Sequence, residues 1–149
     1  MRAERKEIAL TPVEIVRSFY DALKRGDIPA LLALLSDDIA WTEAEGFPYF
    51  SGTWRRPEDV VEKLLVPLST EWADFSADAE SFVSEAKNVV AFGAHKGLNR
   101  ATRCRLLAPF AHRWCVSDGR ISSFTQYTDT LLVKRAMASS RMVKHGETL

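Results

Sequence analysis

The apolar positions of this chain change their period near its middle, which divides it into a helical half and a stranded half. At Thr11 the sequence opens a helix: Thr11 can cap it, Pro12 suits the first helical position, and Glu14 stands where a capping box needs its acid. Ile15, Phe19 and Ala22 share one face, with Val16, Tyr20 and Leu23 beside it, so this stripe must pack on something. Gly26 marks the end. Asp27 then caps a second predicted helix, Ile28 to Leu35, whose crowded leucines predict burial around most of its girth. Ser36-Asp37-Asp38 stops it. Ile39, Trp41 and Glu43 next alternate with Ala40, Thr42 and Ala44 at the period of a strand. A further helix is predicted from Pro57 to Leu65 on Val60, Val61, Leu64 and Leu65, with Pro67 helping to end it.

From Trp72 onward the pattern is that of strands, over 72–83, 88–98, 104–117 and 120–128, with Ser117-Asp118-Gly119-Arg120 as a hairpin turn. Helices first and a meander afterwards predict an α+β fold rather than a parallel α/β sheet. The loop Gly46–Gly52 carries Phe47, Tyr49 and Phe50, aromatics expected to close over something apolar as a lid. Leu131 to Leu149 is basic and loses periodicity, which predicts a short helix followed by a tail. At 149 residues the chain has the length of one domain, 1–149, with a core over about 11–130.

Composition narrows the class of function. Twenty basic residues balance 20 acidic ones, so no bulk field points to a nucleic acid or an anionic membrane as partner. Half of the first ten residues are charged, only Cys104 and Cys115 are cysteines, and no apolar run approaches the roughly 18 residues that cross a bilayer. A reduced, cytoplasmic setting is expected. His95 and His145 have no partner at metal-ligand spacing, and no phosphate-cradling glycine loop or serine elbow occurs; neither a metal nor a cofactor is expected.

The candidate chemistry lies on the strands. Glu43 shares a face with Trp41, and a carboxylate desolvated there would hold its proton more tightly, toward the range of a general base; the plainer alternative is a strand-end glutamate in water. Phe110, His112 and Trp114 also share a face, which flanks the imidazole with rings; the alternatives are an acid–base histidine that titrates near neutral pH and a satisfied core histidine. Trp41, Tyr49, Phe50, Phe92, Phe110 and Trp114 together are expected to enclose a small hydrophobic ligand.

Five pieces in order, Phe19-Tyr-Asp-Ala-Leu-Lys-Arg-Gly-Asp27, Leu-Ser-Asp-Asp-Ile-Ala-Trp41, Gly52-Thr-Trp54, Ala111-His-Arg-Trp-Cys-Val-Ser-Asp-Gly-Arg-Ile121 and Gln126-Tyr-Thr-Asp129, resemble the SnoaL-like, ketosteroid isomerase-like branch of the NTF2-like superfamily over roughly Thr11 to Thr130. The resemblance implies a cone-shaped α+β barrel, N-terminal helices packed on a curved, mostly antiparallel sheet, an apolar cavity between them, and often a homodimer through the sheet. It does not imply one reaction, because the scaffold serves isomerases, cyclases, hydrolases, dehydratases and binding proteins. It places Glu43 where ketosteroid isomerases carry their proton-shuttling aspartate, while their oxyanion-donating tyrosine and acid fall on Phe19 and Ala111, which cannot donate. Tyr20, one position along, could supply a hydroxyl. The histidine of SnoaL-like cyclases falls on His112 and its partner aspartate on Gln126, which can orient a ligand but not exchange a proton. Asp129 reads as a structural cap. The functions left open are acid–base catalysis on a carbonyl or polycyclic substrate by Glu43 with His112 and Gln126, a non-catalytic binding module, and a homodimeric interaction protein.

Overall fold

The computed structural model of the chain describes residues 9–138. Its first helix, α1 (Pro12–Arg25), opens on the expected capping box: Thr11 Oγ1 accepts from the Glu14 amide at 3.2 Å, and Glu14 Oε1 accepts from the Thr11 amide at 2.8 Å. Gly26 closes it in the left-handed region at φ 70°. Asp27 Oδ1 accepts from the Ala30 amide and caps α2 (Ile28–Leu34). That helix is shorter and less covered than its leucines predict. Leu35 already pairs with Ile121 in the sheet, so Ser36, Asp37 and Asp38 belong to strand β1 (Leu35–Thr42), and Leu31 is the one fully buried side chain of α2.

After the short strand β2 (Thr53–Trp54), a single helical run covers Pro57 to Glu71: α3 (Pro57–Val60), a π-helical turn (Val61–Leu65) and α4 (Val66–Glu71). Pro67 was expected to end this helix, and it does not. It lacks an N–H and its ring crowds the carbonyl four residues back, and the wider turn just before it makes room, so the helix continues.

The remaining strands are β3 (Trp72–Glu85), β4 (Asn88–Asn99), β5 (Arg105–Ser117) and β6 (Arg120–Thr128). Sheet order is β2-β1-β6-β5-β4-β3, antiparallel except for the β1–β6 pair. The cone is therefore a curved open sheet with edges at β2 and β3, not a closed barrel. The β5–β6 turn has φ 52° at Asp118 and 77° at Gly119, the two left-handed residues of a type I′ hairpin.

Ser122 is an extra, unpaired residue on β6, a bulge opposite the Cys115–Val116 step of β5, and Ser122 Oγ donates to the Cys115 carbonyl there. The extra residue switches the inward parity of β6 from Ile121 to Phe124 and Gln126. Ile15, Val16, Phe19 and Ala22 of α1 press on this inner face with Trp72, Val89, Trp114 and Ile121. Helical residues 130–138 cover part of it through Val133 and Ala136, and Asp129 Oδ1 accepts from the Leu132 amide at the start of that helix, the cap expected of it. The tail expected beyond lies outside the described residues.

Candidate functional site

Inward-facing positions of β1, β5 and β6 meet α1 around a cavity of about 690 Å³. Trp41 reaches it from β1, and Glu43 follows two residues on, its amide held by the Gly52 carbonyl at 3.0 Å. His112 on β5 stands directly across from Gln126 on β6. Tyr20 comes from α1 and Trp114 from β5.

These six side chains form one continuous hydrogen-bonded chain. Trp41 Nε1 donates to Glu43 Oε2 at 2.6 Å, and Gln126 Nε2 donates to Glu43 Oε1 at 2.7 Å. Gln126 Oε1 lies 2.7 Å from His112 Nε2, His112 Nδ1 lies 2.6 Å from the Tyr20 hydroxyl, and Trp114 Nε1 donates to that hydroxyl at 3.1 Å. Chemistry fixes the direction throughout. Ionised Glu43 can only accept, so Gln126 turns its amide nitrogen toward Glu43 and its oxygen toward His112. His112 must then carry its proton on Nε2, leaving Nδ1 to accept from the Tyr20 O–H.

Glu43 is 4% exposed. Burial pushes its carboxyl up to about 7 from the ordinary 4.5, against the two donors, Trp41 and Gln126, which favour the charge. Burial, and secondarily neighbouring His95, holds His112 well below the usual histidine range, against its bond to Gln126. The Tyr20 hydroxyl is pushed upward by burial despite Trp114. Of these three groups, Glu43 is the one brought close to neutral pH.

Of the two alternatives open for His112, an acid–base residue and a satisfied core histidine, its hydrogen bonds agree with the second. Its ring is neutral and both nitrogens are committed within the protein. Tyr20, Trp41, Glu43, His112, Trp114 and Gln126 all border the cavity. Tyr49, Phe50, Phe92 and Phe110 do not. The Tyr49 hydroxyl donates to Glu71 and accepts from Trp72 Nε1, and Phe50 stacks on Trp54 at 4.1 Å, so the expected lid is packed onto its own neighbours, with only Phe47 reaching the cavity. Phe92 falls on the other face of β4 by the two-residue period and is 44% exposed. Phe110 faces inward, but its ring stacks on His112 at 3.7 Å and packs against His95 instead of bordering the space.

His95 was absent from the expected site, and the structure places it on the cavity wall, 5% exposed. The period of β4 carried the signal: His95 shares its inward parity with Val89 and Ala91. Leu64 and Leu68 of the 57–71 helical run also line the cavity, and nothing in sequence spacing ties that helix to the site. Among the described residues no three His, Cys, Asp or Glu side chains are grouped to hold a metal ion. No helix of the described residues is long and apolar enough to cross a membrane.

The family model described as SnoaL-like domain matches residues 16–124. Among solved structures, an NTF2-like protein from Burkholderia thailandensis E264 is 35% identical, covers 86% of this chain and 98% of its own, and superposes with a TM-score of 0.81. An NTF2-like protein of unknown function from Burkholderia pseudomallei K96243 is 26% identical, with 85% and 97% covered and a TM-score of 0.78. A protein with a ketosteroid isomerase-like fold from Catenulispora acidiphila DSM 44928 is 14% identical over 83% and 92% of the two chains, with a TM-score of 0.69, a likeness of fold alone. No curated protein matches the chain.

Proposed function

This chain belongs to the SnoaL-like domain family of the NTF2-like superfamily, and from that premise we propose that it takes a small, uncharged, largely apolar molecule into its cavity and that Glu43 acts there as a general base on a carbon acid. The observation that carries this reading is a buried carboxylate, raised to about 7, on the wall of an aromatic-lined cavity. Each Glu43 oxygen accepts one hydrogen bond and keeps a lone pair for a substrate proton. Gln126 Nε2 has a second N–H beyond the one given to Glu43, so it can hold a ligand carbonyl beside the base. Glu43 then removes the proton from the carbon next to that carbonyl, the electron pair moves onto the oxygen, and Gln126 steadies the enolate. Reprotonation at another position gives an isomerised product. His112 and Tyr20 position Gln126.

Deuterium exchange into 2-tetralone, an enolisable bicyclic ketone, tests this. The rate is expected to rise with pH and level off above about 7, because the ionised form is the base. Trp41→Phe removes a donor to the carboxylate, so the midpoint should move to higher pH. A rate no faster than buffer across several enolisable ketones, together with a ligand retained in native mass spectrometry, would favour the non-catalytic binding module instead.

We also propose that the chain pairs with a second copy through the outer face of the sheet. Phe92, Ala111 and Tyr127 lie in register across β4, β5 and β6, and Phe92 and Tyr127 are 44% and 55% exposed. Light scattering at micromolar concentration should give twice the chain mass, and Phe92→Asp combined with Tyr127→Asp should give one. A wild-type monomer would remove the pairing.

A further inference from the structure

His95 is the one imidazole of the site that the hydrogen-bonded chain does not use. Its ring lies among Phe75 at 5.7 Å, Phe110 at 4.8 Å and His112 at 5.5 Å between centroids, and it is 5% exposed. Nδ1 faces the Thr128 hydroxyl at 3.4 Å. That hydroxyl has a single hydrogen, given to the Pro109 carbonyl at 2.9 Å, so towards His95 it can only accept. Nδ1 therefore carries the imidazole proton, and Nε2 is a bare lone pair. No described residue donates to Nε2, and it is not sealed in protein: Ser36 Oγ is the one fully buried side-chain polar atom among the described residues without a partner. Nε2 opens on space, and the space that His95 borders is the cavity.

A buried acceptor facing an apolar cavity is costly until a donor reaches it, and this sets what it selects. We propose that His95 Nε2 is a ligand-binding acceptor for a hydroxyl group, which makes the preferred ligand an uncharged hydroxylated ring compound, a phenol or an enol on an apolar body. This rests on the reading that the cavity holds a neutral ligand. An anionic phenolate would be disfavoured twice, by the missing proton and by the Glu43 carboxylate on the same cavity. Burial also holds the His95 ring down at about 4, so at neutral pH it offers a lone pair and no charge.

The experiment compares 2-naphthol with 2-methoxynaphthalene, which share a naphthalene body and an oxygen at the same position, and of which only the first can donate. Binding is measured calorimetrically to the wild-type protein, His95→Phe, His95→Asn and Glu43→Gln. His95→Phe keeps an aromatic ring and removes the acceptor. It should weaken 2-naphthol about tenfold and leave 2-methoxynaphthalene within about twofold. His95→Asn, which retains an acceptor oxygen, should recover part of the loss. In the wild-type protein, with no substitution, 2-naphthol should move the Nε2 nitrogen resonance of His95 upfield. Equal weakening of both ligands in His95→Phe, or a preference lost in Glu43→Gln and kept in His95→Phe, would place the hydroxyl elsewhere and overturn the assignment while leaving the cavity reading intact. Failure of both compounds to bind the folded wild-type protein would overturn both.

Discussion

Glu43→Gln is expected to slow exchange into 2-tetralone roughly 10²–10⁴-fold, the range that a positioned general base supplies, and to make the protein more stable above neutral pH. The two effects have one cause, a carboxylate placed where its charge is poorly solvated. The sign follows from linkage. Glu43 binds its proton with a value of about 7 when folded and the ordinary 4.5 when unfolded, so between those pH values the folded state keeps a proton that the unfolded state has lost. Wild-type stability therefore falls as pH rises through this window, by about 3 kcal/mol in all. The variant has no such fall. Its advantage should be absent below pH 4.5 and complete above pH 7, with about 3 kcal/mol as the ceiling. The amide at position 43 brings an N–H₂ where only acceptors stood. With its oxygen facing Trp41, it donates to Gln126, which must turn over and donate to His112 Nε2; His112 then shifts its proton to Nδ1. Nitrogen NMR of His112 should show that tautomer change. Denaturant titrations from pH 4 to 9 check the stability curve. Exchange equal to wild type would remove the base, and parallel stability curves would remove the buried charge.

Gly93→Ala should be the most damaging single-methyl change in the sheet. A Cβ built on Gly93 meets the Asp78 carbonyl oxygen at 1.9 Å and the Ala79 Cα at 2.9 Å. Both are backbone atoms of the adjacent β3, beside the irregularity between Ala79 and Ser81, so no rotamer can relieve the contact. The strands must part, at a cost of about 3 kcal/mol or more, and the melting temperature should drop by roughly 6–12 °C. Because Asp74 to Ala79 also rim the cavity, binding of 2-naphthol should weaken as well. Gly119→Ala separates clash from strain: Gly119 has φ 77° with nothing within 4 Å of its Cβ, so only the left-handed backbone is penalised, by about 1 kcal/mol. Differential scanning calorimetry of the pair decides, and equal melting temperatures would show that β3 yields to the added methyl.

Much of the fold was legible because local rules set it. The Thr11 capping box, the Gly26 and Asp27 pair, the Asp118-Gly119 turn and the two-residue period of 105–117 each depend on neighbours a few residues away. Misreadings arose where a distant partner overrode the local preference. Leu35 joined the sheet because β6 offered Ile121 to pair with, and Ser36 to Asp38 follow it in β1 through an irregularity before pairing resumes at Ala40. The helix passed Pro67 because a π turn absorbed the proline. Phe92 has the aromatic character of a cavity residue, but its parity on β4 puts it on the outer face. Glu43, His112 and Gln126 could be named, while Phe50 and Tyr49 were drawn away by Trp54 and Glu71 on other segments.

The sequence by itself determined the elements, their order, the α+β class and the set of polar residues that could do chemistry, because caps, turns and periodicity act within a few residues. Tertiary structure alone decided what those residues are. It put the Ser122 bulge opposite Cys115, so that Gln126 turned inward; it brought Tyr20 from α1 onto His112 across 92 positions of sequence; and it enclosed Glu43. Proton affinity depends on the solvent removed and on donors supplied from distant strands, and neither quantity is a property of the residue or its neighbours in sequence.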